Sequence, residues 1–388
     1  MYDDFFFPYE KAKLWTGNMV LLSLSHFLLY ASLYMMLPVL PLWMVRHWDC
    51  SYAEAGAAVA VFGLGMFLPG AFNSYLIDTF KRKSVCFVAM LLFVASGLLY
   101  PYVATVGLIV LVRVIQGGLF SVITMTTGST LVIDVTASRR RTEANIVFSW
   151  VGRFGMGAGL ALGTCLYPYW EFLTILYISV ALGALALLLI PAVDVRFRAP
   201  LNTPCCSLDR FLLPRALWPA LNMMLLAVVF GVLAAHIYSD WFYVCMLIGF
   251  VLSLLLLHYV LSRVSARSEV ELGQAAMIGG LLLLVFSNGL MSSYIAGILL
   301  GTGIGTTVSR FFEKIISLPM HCERGTGNNT YQLMWEAGVM GGFLFETVWT
   351  PNHPGSIYWI CIGICVTLLL MYELFTHPWF YRKMEEKQ

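Results

Sequence analysis

The sequence has 388 residues, 60% of them hydrophobic and 11% charged, with a mean hydropathy of +0.80; soluble chains carry about 25% charged residues, so water is excluded as the main solvent. The formal net charge of +2 leaves no basic surplus for a nucleic-acid partner. Nine cysteines without a repeated C-x-x-C exclude a disulfide framework and a zinc ribbon, and no metal or other cofactor is implied.

Apolar runs long enough to cross a hydrocarbon core of about 30 Å are taken in chain order. A polar leader with Asp3, Asp4, Glu10, Lys11 and Lys13 precedes the first run, which is too long for the core of a cleavable signal. The first half gives spans at 18–45, 52–77, 84–100, 105–132, 143–167 and 170–193. The second half gives 217–237, 241–261, 272–290, 293–316, 328–350 and 357–375, with tight turns at 238–240 and 291–292. All twelve are read as helices. Lys and Arg gather in the leader, the even-numbered loops with their adjoining helix ends, and the C-terminal tail, and only Arg46, Arg113 and Arg153 lie elsewhere. By the positive-inside bias, both termini face the cytoplasm and the number of spans is even.

The longest polar connection, rich in Pro and Arg, runs 194–214 and divides the chain into an N-terminal bundle (1–194), a cytoplasmic linker (195–214) and a C-terminal bundle (215–388). An internal repeat supports the division. At one constant offset, Arg141 aligns with Arg324, Asn145 with Asn328, Phe148 with Tyr331, Gly155 with Gly338 and Gly159 with Gly342. Two halves in the same orientation imply parallel repeats about an axis normal to the membrane, an arrangement suited to rocking about a central site.

Leu76-Ile77-Asp78-Thr79-Phe80-Lys81-Arg82-Lys83 is similar to the loop between spans 2 and 3 of the major facilitator superfamily, which reads Asp-Arg-x-Gly-Arg-Arg or Lys; here Thr79 and Lys81 replace the first Arg and the Gly. Arg113-Val114-Ile115-Gln116-Gly117 resembles that family's Arg-x-x-Gln-Gly pattern in span 4. Gly152, Gly155, Gly157, Gly159 and Gly163 resemble the glycine-rich span 5 of its proton-coupled exporters, without the usual Pro. The run from Arg324 to Tyr331 leading to Glu336-Ala337-Gly338 resembles span 11 of multidrug-type members. The resemblance covers essentially the whole chain. It implies an all-α membrane protein with twelve transmembrane helices in two pseudosymmetric six-helix bundles, the major facilitator fold.

Charges inside apolar spans are costly and mark interior faces, so Arg113 is expected to face inward, with Gln116, Phe120, Thr124 and Thr127 continuing its face. The competing reading is an Arg locked to carbonyls within its own bundle. Arg153 and Glu336 are equivalent in the repeat, near the midplane, and are not expected to pair directly; Glu336 is the candidate proton carrier. His26, Tyr30 and Tyr34 share a face of span 1 with Ser23, and Pro38 with Pro41 should bend or end that helix. Asn222, Thr302 and Thr306 are weaker pathway candidates. At the cytoplasmic face, Arg82 is placed to pair with Asp134, and Asp78 to sit against the N-terminal end of span 11. The resemblance implies that these residues latch the outward-facing state.

The expected function is alternating-access secondary transport of a small organic solute, proton-coupled export leading, by a monomer in the cell membrane. The alternatives are symport uptake of an anionic metabolite, favoured by Arg113 and Arg153, and a non-transporting sensor or scramblase. An enzyme is not expected, because His26, His236 and His258 are dispersed and lack catalytic companions.

Overall fold

The computed structural model describes residues 13–195, 204–207, 210–237, 241–287, 289–319, 324–351, 353 and 355–385. Its long helical stretches are α1 (Gly17–Trp48), α2 (Tyr52–Thr79), α3 (Arg82–Gly97), α4 (Val106–Val135), α5 (Ser138–Leu166), α6 (Phe172–Ala192), α7 (Pro214–His236), α8 (Phe242–Val260), α9 (Ala266–Phe286), α10 (Leu290–Ser317), α11 (Arg324–Trp349) and α12 (Ile357–Glu385). Among the described residues there is no strand, and ten helices are long and apolar enough to cross a membrane. The other two are α3, with 16 residues, and α11, whose Asn328, Asn329, Gln332 and Glu336 dilute its apolar character. They stand where the third and eleventh spans are expected.

Within α1 the α-helical geometry stops at Met36 and resumes at Val39, because Pro38 lacks the N–H that would continue the ladder. The turn expected at 291–292 falls inside α10. Instead α9 ends at Phe286 and α10 begins at Leu290, with Gly289 before its first turn and the Ser287 and Ser292 hydroxyls meeting at 2.5 Å. Leu290 and Met291 are exposed and suit a lipid-facing helix start. The turn expected at 238–240 lies outside the described residues.

Helix packing repeats itself. In the first half α1 packs on α5 and α6, α4 on α2 and α3, and α3 on α6. In the second half α7 packs on α11 and α12, α10 on α8 and α9, and α9 on α12. Across the two halves α2 meets α11, and α8 meets α5 in the equivalent way. The glycines that align in the sequence repeat lie at close backbone contacts of the α1–α5 and α7–α11 pairs. A Cβ on Gly155 or Gly159 would lie 2.6 or 2.5 Å from the carbonyl oxygens of Phe27 or Ala31 on α1. On Gly338 or Gly342 it would lie 2.4 or 2.0 Å from those of Met224 or Val228 on α7. Small residues at such crossings let helix backbones touch, which substitutes for the hydrophobic drive absent in lipid. Gly342→Val should therefore cost about 1–3 kcal/mol or more through overpacking and lower the apparent melting temperature of detergent-purified protein. Gly341→Ala, whose added atom meets nothing within 4 Å, should leave it unchanged.

Polarity runs from inside to outside as the bilayer demands. Val88, Leu91 and Leu92 on α3 and Leu185 and Leu188 on α6 are exposed, whereas Arg113, Arg153, Glu269, Gln274 and Glu336 are buried. Ionisable groups held among helices escape the penalty of facing lipid. Glu269 is matched there by Arg310 of the neighbouring α10.

Candidate solute pathway

The polar groups that meet between the halves come from α1 and α5 on one side and α10 and α11 on the other. Tyr30 donates its hydroxyl to Gln332 Oε1 at 2.8 Å, and Tyr34 donates to Glu336 Oε2 at 2.9 Å. Residues four apart on a helix share one face, so two tyrosines of α1 grip two acceptors of α11 in register. Glu336 is 0% exposed, and its Oε1 has no hydrogen-bond partner among the described residues. His26 lies one turn before Tyr30, stacked on Phe148 with ring centroids 3.9 Å apart. Both of its ring nitrogens are buried without a partner among the described residues.

Arg153 is the cation of this cluster. Its Nη2 donates to Ser149 Oγ at 2.6 Å, its Nε to the Ser149 carbonyl at 3.3 Å, and its Nη1 crosses to Ser309 Oγ on α10 at 3.4 Å. The guanidinium lies 4.2 Å from the Trp150 ring centroid. Among the described residues no carboxylate pairs with it, so a positive charge that is 1% exposed is balanced by neutral dipoles and an aromatic face alone. Ser149 also donates to the Tyr331 hydroxyl at 3.4 Å, and Trp335 Nε1 contacts Met156 Sδ at 3.2 Å. Gln332, Ser149, Ser309, Tyr331 and Trp335 were missed by sequence reasoning. The repeat that pairs Arg153 with Glu336 also pairs Ser149 with Gln332, and that offset was the signal able to find two of them.

Other candidates are elsewhere. Arg113 Nε and Nη2 donate to the Val59 carbonyl on α2 at 3.3 and 3.2 Å, and its guanidinium lies 4.6 Å from the Phe62 ring centroid. Nη1 donates to Gln116 Oε1 at 3.3 Å. Both residues thus make their hydrogen bonds within the first half, while the Arg113 charge still acts on Glu336 of the interface cluster. Asn222 is held on α12, donating to the Leu368 carbonyl at 3.0 Å and accepting from Thr376. Thr302 and Thr306 spend their hydroxyls on backbone carbonyls of α8 and α10.

At the basic end of the molecule, Arg82 Nη1 meets Asp134 Oδ2 at 2.7 Å. The described partners of Asp78 are Arg210, at 3.0 Å, and Arg82, at 3.9 Å; the segment before α7, which carries Arg210, bonds Asp78 on one side and Asn329 of α11 on the other. That segment is tied to both halves. Ser207 N donates to the Ala71 carbonyl at 2.8 Å, Asn329 Nδ2 to the Arg210 and Phe211 carbonyls at 3.2 and 2.9 Å, and Leu213 N to Thr330 Oγ1 at 2.8 Å. Next to it Asn328 reaches Ser129 on α4 at 3.5 Å. At the opposite end Tyr52 donates to the Ala235 carbonyl at 2.9 Å, so the halves touch at both ends. Asp78→Asn and Arg210→Ala should each open the basic end, raising several-fold the rate at which a thiol reagent labels Ser129→Cys. Equal labelling in mutant and parent backgrounds would count against a closing role for this strap.

Two similarly packed sets of helices with ionisable groups between them define a polytopic membrane transporter. The chain belongs to the Major Facilitator Superfamily, whose model matches residues 22–342. Among solved structures it is similar to the nucleoside transporter NupG, at 16% identity and a TM-score of 0.66, covering 92% of this chain and 100% of that one. It is also similar to the human organic anion transporter MFSD10 (TETRAN), at 13% identity and a TM-score of 0.64, again over 92% and 100% of the two chains. At these identities the likeness concerns the fold. No curated protein sequence matches this chain.

Proposed function

We propose that the chain is a twelve-span secondary transporter that carries a small organic anion, coupled to a proton, by alternating access between bundles 1–194 and 215–388. Arg153 binds the anionic group of the solute, Glu336 carries the proton, and Tyr30, Tyr34 and Gln332 join the halves when the pathway is shut. The observation that supports this reading best is Arg153, a buried interface cation whose hydrogen-bond partners are neutral. A partner of opposite charge there gains far more than it would in water, so an anion is preferred over a lipophilic cation. Asp78, Arg82, Asp134 and Arg210 form the gate on the side that the positive-charge bias assigns to the cytoplasm.

Purified protein in proteoliposomes with a pH step of one unit tests the proposal. One proton moved with each monovalent organic anion supports about a tenfold accumulation, because 1.4 kcal/mol is a factor of ten. Accumulation on the acidic side instead assigns antiport, the direction that the span 11 resemblance favours. No flux of any organic anion, with or without the pH step, sinks the proposal.

A further inference from the structure

We propose that the first half of the molecule holds a separate binding site for a small monovalent inorganic anion of the halide kind, seated against Arg113. It is distinct in place from the Arg153 cluster, although Arg113 acts electrostatically on Glu336. A cavity with room for about two water-sized species lies between α1, α3, α4 and α6. Its polar lining is Ser32, Tyr100, Arg113, Gln116 and Ser179, the remaining wall is apolar, and no carboxylate is among the lining residues.

A count of donors gives the cavity its sign. A guanidinium carries five N–H groups; the described bonds of Arg113 engage one each on Nε, Nη1 and Nη2, and the Tyr100 hydroxyl takes another, which leaves one over. Gln116 Oε1 accepts from Arg113 and also from the Tyr100 hydroxyl at 2.8 Å. The amide nitrogen of Gln116, two donors more, meets no acceptor among the described residues. Ser32 and Ser179 have no hydroxyl proton to spare, since each donates to the carbonyl of the other at 2.7 Å. The wall therefore has donors in excess beside a buried cation whose nearest electrostatic counterpart, Glu336, lies outside the cavity lining. A water molecule brings two more protons to such a wall, whereas an anion brings none. Burial with an incomplete set of opposite charges is what makes an intramembrane Arg costly, and a bound halide lowers that cost, most of all when Glu336 is protonated. The space is too small for an organic anion of more than about three heavy atoms, which separates this site from the pathway built around Arg153.

The test is thermal unfolding of the full chain in detergent, with chloride titrated against gluconate at constant ionic strength. The apparent midpoint should rise by about 2 °C for each tenfold increase in chloride above its dissociation constant, with bromide substituting and gluconate inert. Gln116→Glu, which places a fixed carboxylate beside Arg113, should remove the chloride dependence. Should that variant fail to fold, the anomalous signal of bromide in crystals of the parent protein decides, with a peak expected beside the Arg113 guanidinium. Equal midpoints in chloride and gluconate, a chloride slope retained in Gln116→Glu, or no bromide peak would each overturn the proposal and leave the cavity to water.

Discussion

Glu336→Gln is expected to abolish proton-driven accumulation while solute exchange survives. Gln keeps the size of the side chain and its ability to accept from Tyr34, but it carries no titratable proton. The parent protein under a pH step of one unit should concentrate solute about tenfold for one coupled proton, and the variant should stop at a ratio of about one. Exchange of labelled for unlabelled solute uses the same gate and needs no net proton movement, so it should stay within a few-fold of the parent. The physical link is the 2.9 Å bond from Tyr34 to Glu336, which joins the two halves and must break when they part. The occupancy of the carboxyl and the state of the gate are thereby tied together. A variant that still accumulates solute against its gradient removes Glu336 from the coupling mechanism.

Arg153→Gln should weaken binding of an anionic solute by at least about thirtyfold. Truncating one partner of a buried, hydrogen-bonded charge pair costs about 2–5 kcal/mol, and the lower figure gives that factor. Arg153→Lys should recover little, because a compact ammonium cannot reach Ser149 and Ser309 together from the fork positions and loses the stacking on Trp150. Binding of an uncharged analogue of the same shape should change far less. Competition assays with an anionic and a neutral analogue on the three proteins separate these outcomes. Equal losses for both analogues would make Arg153 a packing residue of the interface.

Much of this arrangement is legible in the sequence, for identifiable reasons. Spans announce themselves by length and hydropathy, because lipid tolerates only self-satisfied helices. The division into halves is legible in the constant offset between Gly155 and Gly338 or Gly159 and Gly342, since a glycine that lets two backbones touch cannot drift. Arg153 and Glu336 are conspicuous because ionisable groups in apolar runs are rare. Partner choice is another matter. Arg113 is as conspicuous as Arg153, yet it ends on the Val59 carbonyl, and nothing along α4 distinguishes a carbonyl on α2 from a group across the interface. Asn222 fails for the same reason, its partners being on α12. Arg210 lies in a stretch whose composition reads only as a polar connection, and its approach to Asp78 depends on a path the chain takes outside any periodic element. α3 and α11 mark the limit of the hydropathy signal itself. The first is short, and the second gives up apolar length to the groups that meet α1, α4 and the segment before α7.

One irregularity in α4 bears on how the basic end is released. Between Thr127 and Leu131 the helix widens into a π turn, which amounts to one residue inserted into an ordinary helix. Retightening that turn to the usual pitch would swivel the remaining stretch, Val132–Val135, by about 100°. Asp134, anchored to Arg82 at 2.7 Å, would be carried around the screw axis and off its cation. Such retightening would undo the Arg82–Asp134 contact by torsion, with no need to pull the two charges straight apart.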